Sequence, residues 1–286
     1  MALTERAGVS GVAHVSVVIP ARGGGPLLAE QLAALDAQAV RPSEIVVVDN
    51  GGDLGSELGP SVRLVRATDR HSPAYARNAG VRASSGDFVL FCDADDVVDA
   101  GWAAAMAAAL ATCDAVGGYL DQATLNDARV RRWRPQAVTD GHLPVAYGFL
   151  PFAPSSNLGV RRSVFEALGG FDEDLPRAAD VDLCWRLQLA GYVLGYEPAA
   201  RVAYRHRATV RETLRQAYGW GQASVPLCRK YRETGGPQPG PLGSRFAGLA
   251  RAAPRSLWQA DRRVDWLRKV SHDTGRLVVS LRPAGP

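Results

Sequence analysis

The sequence predicts an α/β fold in which a mostly parallel sheet is covered by helices on both faces. Two observations lead to this prediction. Short apolar runs typical of buried strands alternate with helical segments along residues 14–112. These runs end at polar or turn-forming residues, as strands do where an open α/β sheet binds its ligand. With 286 residues, the chain is long enough for one large core and a modest appendage.

The first part of the chain supplies strands and helices in turn. We predict strands over His14–Pro20, Glu44–Asp49, Val62–Arg66 and Phe88–Cys92. We predict helices from Pro26 to about Ala37, over Ser72–Ser84, and from about Ala100 to Ala111. Proline at the first helical position supports the first two helices, and Ser72 would cap the second.

Beyond about residue 114 the alternation loosens. We predict strands at Ala115–Asp121, Asn157–Val160 and Arg201–Tyr204, and helices at Ser163–Leu168, Asp180–Ala190 and Val210–Arg232. The long stretch between the first two of these strands is typical of a functional or mobile loop. Thr234–Gly243 has Gly or Pro at most positions and predicts a linker, followed by two weakly amphipathic pieces.

The composition is that of an ordinary globular protein, with 47% hydrophobic and 22% charged residues. No apolar run approaches the roughly 20 residues of a membrane span, and the N-terminus lacks the apolar core of a signal peptide. Four cysteines lie far apart, which favours reduced core thiols over a zinc or disulfide framework. We therefore expect a cytoplasmic location.

The net charge of +4 conceals an asymmetry between two parts of the chain. Residues 1–200 hold 16 Lys and Arg against 24 Asp and Glu, whereas residues 201–286 hold 17 against 5. The basic part is a candidate surface for a diphosphate, a lipid phosphate or the inner face of an anionic membrane. A solvated basic face explains it as well. No nucleic-acid-binding module is recognisable, so no nucleic-acid partner is expected.

Carboxylates cluster directly after one predicted strand. Asp93, Asp95 and Asp96 follow the apolar run Phe88–Cys92. Carboxylates this close repel one another, and hard oxygen ligands are those that Mg²⁺ or Mn²⁺ uses when it carries a diphosphate. The alternative is a solvated acidic turn, with Asp99 capping the following helix.

The ends of the first two strands carry further candidate ligand groups. Pro20, Ala21 and Arg22 end the first strand, and Asp49 ends the second. Asp49, followed by Asn-Gly, is equally suited to forming a turn. The Gly-rich turn after Arg22 is a weak signal, because Leu28 stands where the dinucleotide fingerprint requires Gly or Ala, so a hydride-transfer cofactor is disfavoured.

Several motifs, taken together, resemble the family-two glycosyltransferases, which have the sugar-nucleotide-binding GT-A fold. They occur in the expected order: VSVVIPA at 15–21, IVVVDNG at 45–51, ARNAG at 76–80, CDADD at 92–96, NLGVRRSVFEALGGFDEDL at 157–175 and DVDLCWRLQLAGY at 180–192. The resemblance implies an α/β three-layer sandwich with a helical, basic C-terminal extension. It places a GT-A domain over 1–232, with a nucleotide-binding half at about 14–112 and an acceptor-binding half at about 113–232. Residues 233–286 would form the linker and extension.

The resemblance also implies roles on the donor side. Asp49 and Arg77 would hold the base and ribose of the nucleotide, beside Pro20, Ala21, Arg22 and Ala94. Asp93 would contact the ribose or the metal, and Asp95 would coordinate Mg²⁺ or Mn²⁺ between the phosphates. His206 would reach the metal or the diphosphate, although a lone His in an exposed basic stretch is often inert.

On the acceptor side, the resemblance implies that Asp180 is the general base of an inverting displacement. Its alternative role is to cap its helix. The family usually has Glu before this Asp, whereas this chain has Ala179. Acceptor or phosphate contacts are expected from Asn157, Asp182, Arg215 and Trp220. An ion pair with Arg186 explains Asp182 equally well, and plain helix packing explains the two residues of the last helix.

The resulting hypothesis is a metal-dependent inverting glycosyltransferase that uses a nucleoside-diphosphate sugar. The acceptor class stays open among a glycan, a lipid phosphate, a small molecule and a peptide. A sugar-phosphate nucleotidyltransferase is the first alternative, although the loop after the first strand lacks its Arg and Lys signature. The second is a non-catalytic module that binds sugar nucleotide or glycan, which Ala179 favours.

Overall fold

The computed structural model describes residues 14–52, 54, 58–133, 141–175, 177–237 and 240–281. The strands are β1 (Val15–Ala21), β2 (Glu44–Asp49), β3 (Val62–Arg66), β4 (Phe88–Cys92), β5 (Val97–Val98), β6 (Ala115–Asp121), β7 (Val145–Ala146), β8 (Leu150–Pro151), β9 (Asn157–Arg161) and β10 (Leu194–Ala203). The helices are α1 (Pro26–Asp36), α2 (Pro73–Ala83), α3 (Trp102–Leu110), α4 (Ala128–Arg132), α5 (Arg162–Ala167), α6 (Ala179–Leu189), α7 (Val210–Lys230), α8 (Leu242–Trp258) and α9 (Ala260–Ser280).

Eight of these strands form one sheet in the order β3-β2-β1-β4-β9-β6-β10-β5, while β7 and β8 form a separate hairpin. The pairs β1–β2, β2–β3, β1–β4 and β6–β10 are parallel. Strand β9 runs antiparallel to β4 and β6, and β5 runs antiparallel to β10. The carboxyl ends of β1, β2, β4, β6 and β10 therefore meet at one edge of the sheet, as the sequence predicted for the first three.

Alternate residues of β1 point to opposite faces of the sheet, and both faces are covered. Val17 and Ile19 pack in one buried cluster with Trp102 of α3. Val18 packs in a second cluster with Leu183 of α6. Because both faces are buried, the strand has a continuous apolar run rather than an alternating one. The predicted three-layer α/β sandwich is confirmed.

The two amphipathic pieces after the predicted linker are long helices, and α9 lies directly on α7. A Cβ at Gly221 would lie 1.9 Å from the carbonyl oxygen of His272. A Cβ at Gly275 would lie 2.2 Å from the carbonyl oxygen of Tyr218. The two helices therefore touch backbone to backbone, and each contact requires glycine. Within the described residues, no helix has both the length and the apolarity that crossing a membrane would need.

Some local predictions were wrong. Ser72 is the N-cap residue of α2, as predicted, but its side chain does not make the hydrogen bond expected of a cap. Asp99 does not cap α3, which begins after Gly101, because the Asp99 carboxylate lies 3.3 Å from Arg201 Nε. Strand β10 begins at Leu194, well before the predicted Arg201–Tyr204 segment. Part of the predicted long loop (134–140) and part of the linker (238–239) lie outside the described residues.

Candidate active site

A cavity of about 1450 Å³ opens at the carboxyl edge of the sheet. The loops after β1, β4 and β6 form one side, and the start of α6 together with α7 and α9 forms the other. Most of the predicted site residues line it: Pro20, Ala21, Arg22, Arg77, Asp93, Ala94, Asp95, Asp180 and Trp220. The sheet thus brings together side chains that are up to 200 positions apart in the sequence.

The predicted acidic cluster forms after β4. Carboxylate oxygens of Asp93, Asp95 and Asp96 all lie within 4.8 Å of one another. Asp96 is only 1% exposed, and its Oδ1 accepts a hydrogen bond of 2.7 Å from the backbone N–H of Arg205. Its buried Oδ2 has no hydrogen-bond partner among the described residues. Burial, followed by repulsion from Asp93 and Asp95, raises the pKa of Asp96 well above the usual range.

These three side chains fit a hard divalent cation. Carboxylate oxygens are the ligands that Mg²⁺ and Mn²⁺ prefer, and a buried carboxylate oxygen without a partner is costly unless something satisfies it. The sequence predicted Asp93, Asp95 and His206 as metal ligands; the structure groups Asp96 with the two aspartates, as expected from the predicted acidic cluster.

Arginines balance the charge of the cluster. Arg77 Nη2 lies 2.5 Å from Asp93 Oδ1. Arg207 Nη1 lies 2.9 Å from Asp95 Oδ2, and Arg205 donates from Nε to the backbone oxygen of Asp95 at 2.9 Å. Arg77 is buried, so its ion pair is shielded from solvent, whereas Arg207 is about half exposed. Such charge-assisted bonds hold the two carboxylates in fixed orientations.

The turn after β2 packs against the Gly-rich loop after β1. Asp49 Oδ1 accepts hydrogen bonds from the N–H groups of Gly51 (3.0 Å) and Gly52 (2.9 Å). A Cβ at Gly52 would lie 2.0 Å from the backbone nitrogen of Gly23, so this contact requires glycine. Asp49 itself is buried behind the cavity wall, and Asn50 lines the wall. These bonds match the turn-forming alternative, and nucleotide contact by Asp49 stays a prediction.

Asp180 is placed at the second position of α6, facing the cavity. The N-cap of this helix is Ala178, so Asp180 is not the capping residue. The carboxylate accepts hydrogen bonds from the N–H of Ser155 (3.1 Å) and of Val181 (2.9 Å). Burial raises the pKa of Asp180, and the Ser155 bond and the charge of Arg77 offset part of this effect. A partly buried carboxylate that lines the cavity and has a raised pKa is suited to accepting a proton.

Two predicted acceptor contacts are buried in the core, away from the cavity lining. Asn157 is fully buried; it accepts a hydrogen bond of 2.8 Å from the Trp102 indole and ties strands together. Asp182 is also fully buried. Its carboxylate lies 2.7 Å from Arg186 Nε and 2.7 Å from Lys230 Nζ. The structure therefore has the ion pair with Arg186 that was the alternative explanation of Asp182.

His206 and Arg215 lie near the cavity but are not in its lining. His206 is buried, and its Nε2 lies 3.1 Å from the side-chain oxygen of Gln122, which does line the cavity. Arg215 is exposed on α7. Their expected roles in metal, diphosphate or acceptor binding stay predictions.

Comparison with known sequences identifies the family. The sequence model of Glycosyl transferase family 2 matches residues 16–169. The chain belongs to this family. It is 28% identical over 256 residues to the pre-mycofactocin glycosyltransferase of Mycobacterium tuberculosis, a match that covers 80% of this chain and 51% of that protein. It is also 28% identical over 201 residues to the uncharacterized glycosyltransferase YwdF of Bacillus subtilis, covering 66% and 73%.

The chain thus spans about half the length of the first of these relatives. Among solved structures, it resembles the mannosyltransferase PcManGT of Pyrobaculum calidifontis in complex with GDP-Man and Mn²⁺. The TM-score is 0.64 at 20% identity, over 94% of this chain and 88% of that one. It also resembles GalNAc-T7 with UDP, GalNAc and Mn²⁺, with a TM-score of 0.55 at 17% identity, over 68% and 43%. These likenesses confirm the predicted GT-A fold.

Many residues that line the cavity of this family-two member were not predicted from the sequence. The missed lining residues include Gln122, Tyr147, Arg177, Asp265, Arg268, Lys269 and His272. All but Gln122 and Tyr147 follow the segment that the family model matches. The glycines inside two amphipathic helices, Gly221 in α7 and Gly275 in α9, were the available signal. They mark a close helix crossing that brings the C-terminal helices to the site.

Proposed function

We propose that this family-two protein transfers a sugar from a nucleoside-diphosphate sugar to an acceptor, with inversion and with Mg²⁺ or Mn²⁺. One observation carries the proposal: a single cavity holds the Asp93–Asp95 edge and the partly buried carboxylate of Asp180. Arg77 pairs with Asp93 and also acts on the pKa of Asp180, so the two acidic groups adjoin. Two proteins of the same fold carry sugar nucleotide or nucleotide, each with Mn²⁺, which supports the donor class.

On the donor side, the strand-end loops would hold the nucleotide. Pro20–Arg22 and Asn50 line that side of the cavity, where open α/β sheets bind nucleotides. Arg77 and Arg207 lie at the acidic cluster, where a diphosphate would meet their guanidinium groups. A divalent ion held by Asp93, Asp95 and Asp96 would act as a Lewis acid that neutralises charge on the departing diphosphate.

On the acceptor side, Asp180 would remove the proton from the acceptor hydroxyl. The acceptor oxygen then forms a bond to the anomeric carbon from the face opposite the diphosphate. The bond between that carbon and the diphosphate oxygen breaks, and its electron pair leaves with the nucleoside diphosphate. Because burial raises the pKa of Asp180, it is a stronger base than an exposed aspartate.

The C-terminal helices also present a surface suited to an anionic membrane. Trp258 is 86% exposed and Leu257 is 46% exposed at the end of α8. Exposed arginines, Arg255, Arg262 and Arg263, lie close by in the sequence. Aromatic and basic side chains together favour the interface of anionic lipids. Peripheral membrane contact therefore stays a prediction.

A thermal-shift screen tests the donor and the metal together. UDP, GDP, dTDP and CDP would be added with and without Mn²⁺, and we expect one of them to raise the melting temperature only when Mn²⁺ is present. Asp95→Asn should abolish that shift, whereas Asp99→Asn should retain it because Asp99 does not line the cavity. An equal shift in Asp95→Asn would refute the assignment of Asp95.

Turnover then separates the proposed reaction from its alternatives. The sugar nucleotide that matches the selected diphosphate would be incubated with Mn²⁺ and a panel of acceptors. Release of nucleoside diphosphate supports glycosyl transfer, and release of pyrophosphate supports a nucleotidyltransferase. Binding of the sugar nucleotide without turnover on any acceptor supports the non-catalytic module. Ala179 favours this alternative, because a buried alanine stands where the family usually has Glu.

A further inference from the structure

Arg177 is a cation built into the cavity wall beside the proposed base. It lies three residues before Asp180, in the segment that leads into α6, and it lines the cavity. Its side chain crosses α7 at Gly219. A Cβ at this glycine would lie 2.5 Å from Nε and 2.8 Å from Cζ of Arg177. The bare Cα of Gly219 therefore makes the room in which the guanidinium lies.

The charges around Arg177 are of its own sign. Burial, followed by repulsion from Arg207 and Arg215, lowers the pKa of Arg177. Arg215 lies one helical turn before Gly219, on the same face of α7. No carboxylate in the part of the chain that the structure describes forms an ion pair with Arg177. The side chains of Arg177, Arg207 and Arg215 are all exposed to solvent, so an anion can reach them. Like charges gathered at one wall repel one another until an anion joins them.

Arg177 adjoins the donor edge through Arg207, but among the described residues it forms no ion pair with the acidic cluster. Arg77 and Arg207 already contact Asp93 and Asp95, at the strand ends where the diphosphate is expected. Arg177 instead shares its segment with Asp180, the side from which the acceptor must attack. An anion bound to Arg177 would therefore lie beside the attacking group.

We propose that Arg177, supported by Arg215, binds an anionic group of the acceptor, a carboxylate or a phosphate. The inference rests on the proposed function, since it names the acceptor class of that same cavity. It narrows the open list of acceptors to those that carry a negative charge near the hydroxyl to be glycosylated.

Isothermal titration with inorganic phosphate tests the site. The protein would be saturated with Mg²⁺ and with the nucleoside diphosphate found in the screen, so that the donor edge is filled. Sodium chloride would keep the ionic strength constant. We expect saturable phosphate binding that weakens at least about tenfold in Arg177→Gln, because a charge-assisted bond is lost. Arg211→Gln is the control, since this exposed arginine of α7 does not line the cavity.

A second variant keeps the charge of Arg177 and fills the space at Gly219 in which its side chain lies. In Gly219→Ala the new methyl group would displace the Arg177 side chain. Ala is also the better helix former, so the melting temperature should not fall. We expect phosphate affinity to drop as in Arg177→Gln while the affinity for the nucleoside diphosphate changes less than twofold.

Three results would overturn the inference. The first is equal phosphate affinity in Arg177→Gln and the wild type, and the second is the lack of saturable phosphate binding by the loaded wild type. The third is a loss of about tenfold in the nucleoside-diphosphate affinity of Arg177→Gln, which would assign Arg177 to the donor. In each case the wild type still binds nucleotide with metal and the proposed function stands. A wild type that binds no nucleoside diphosphate would instead refute the proposed function.

Discussion

The donor edge and the acceptor wall of the cavity are built by different means. At the donor edge, polar residues follow directly after buried parallel strands, so the register of the sheet fixes their positions. Asp93 and Asp95 there are each paired with an arginine. The acceptor wall consists of α6, α7 and α9, and Arg177 in it is a cation without a carboxylate partner in the described residues. On the proposed function, this difference means that the donor edge is preformed and that the wall is completed by its substrate.

The largest expected effect separates the two sides by their chemistry. Asp180→Asn should slow transfer by about 10²–10⁴-fold while leaving nucleoside-diphosphate affinity unchanged, because only the proton acceptor is lost. Initial rates of nucleoside-diphosphate release and a parallel binding titration measure the two quantities. Asp174→Asn is the control, since that carboxylate is 86% exposed in a nearby segment. A wild-type rate in Asp180→Asn would show that another group is the base.

The melting temperature of Asp180→Asn shows whether a loss of activity could come from misfolding. Burial raises the pKa of Asp180, so keeping its carboxylate charged at neutral pH lowers the free energy of unfolding. A neutral amide removes that penalty. The amide also leaves the N–H of Ser155 or of Val181 without its acceptor, so the two effects oppose each other, and the melting temperature at pH 7 should stay within about 4 °C of that of the wild type.

The next effect is a pH dependence that belongs to the acceptor wall. Because burial raises the pKa of Asp180, kcat/KM should fall with decreasing pH from a midpoint above the roughly 3.9 of a free aspartate. The N–H of Ser155 and the charge of Arg77 oppose the shift, so Arg77 limits how high the midpoint lies. A pH–rate profile measures it. The residual activity of Asp180→Asn should lack this limb, and its persistence there would assign the limb to a different group.

The smallest effect tests how the wall is held. Gly221→Ala would place a methyl group against the backbone of α9, so we expect a loss of about 1–3 kcal/mol in the free energy of unfolding. Gly248→Ala is the matched control: it lies in α8 with open space around it and should gain up to about 1 kcal/mol. Chemical denaturation measures both. Equal stability of the two variants would mean that α7 and α9 are not in close contact in solution.

The sequence was most informative where side chains follow strands. Phe88–Cys92 is a strand with the predicted bounds, and Asp93 and Asp95 line the cavity after it. This succeeded because a buried strand has a distinct composition and its end is fixed by the sheet. Asn157 and Asp182 were harder to place, since a polar residue near a motif can face either the cavity or the core. Their burial depends on Trp102, Lys230 and Tyr231, which are distant in sequence.

The C-terminal part shows the same limit more strongly. Its basic composition indicated an appendage, but α9 lies on α7 and contributes residues to the cavity. Nothing in the local pattern of residues 260–280 indicates which helix they cover. Helix pairing is decided by the shapes of two surfaces, and Gly221 and Gly275 together define this one.

The arginines on Asp93 and Asp95 have a consequence for how the donor edge meets its ligands. The guanidinium groups of Arg77 and Arg207 largely compensate the charges of Asp93 and Asp95. Long-range attraction for a bare cation is then weak, since steering depends on uncompensated charge. When a nucleotide already chelates the cation, its diphosphate can form ion pairs with Arg77 and Arg207. The edge would therefore bind the metal–nucleotide complex in preference to the separate metal ion and nucleotide.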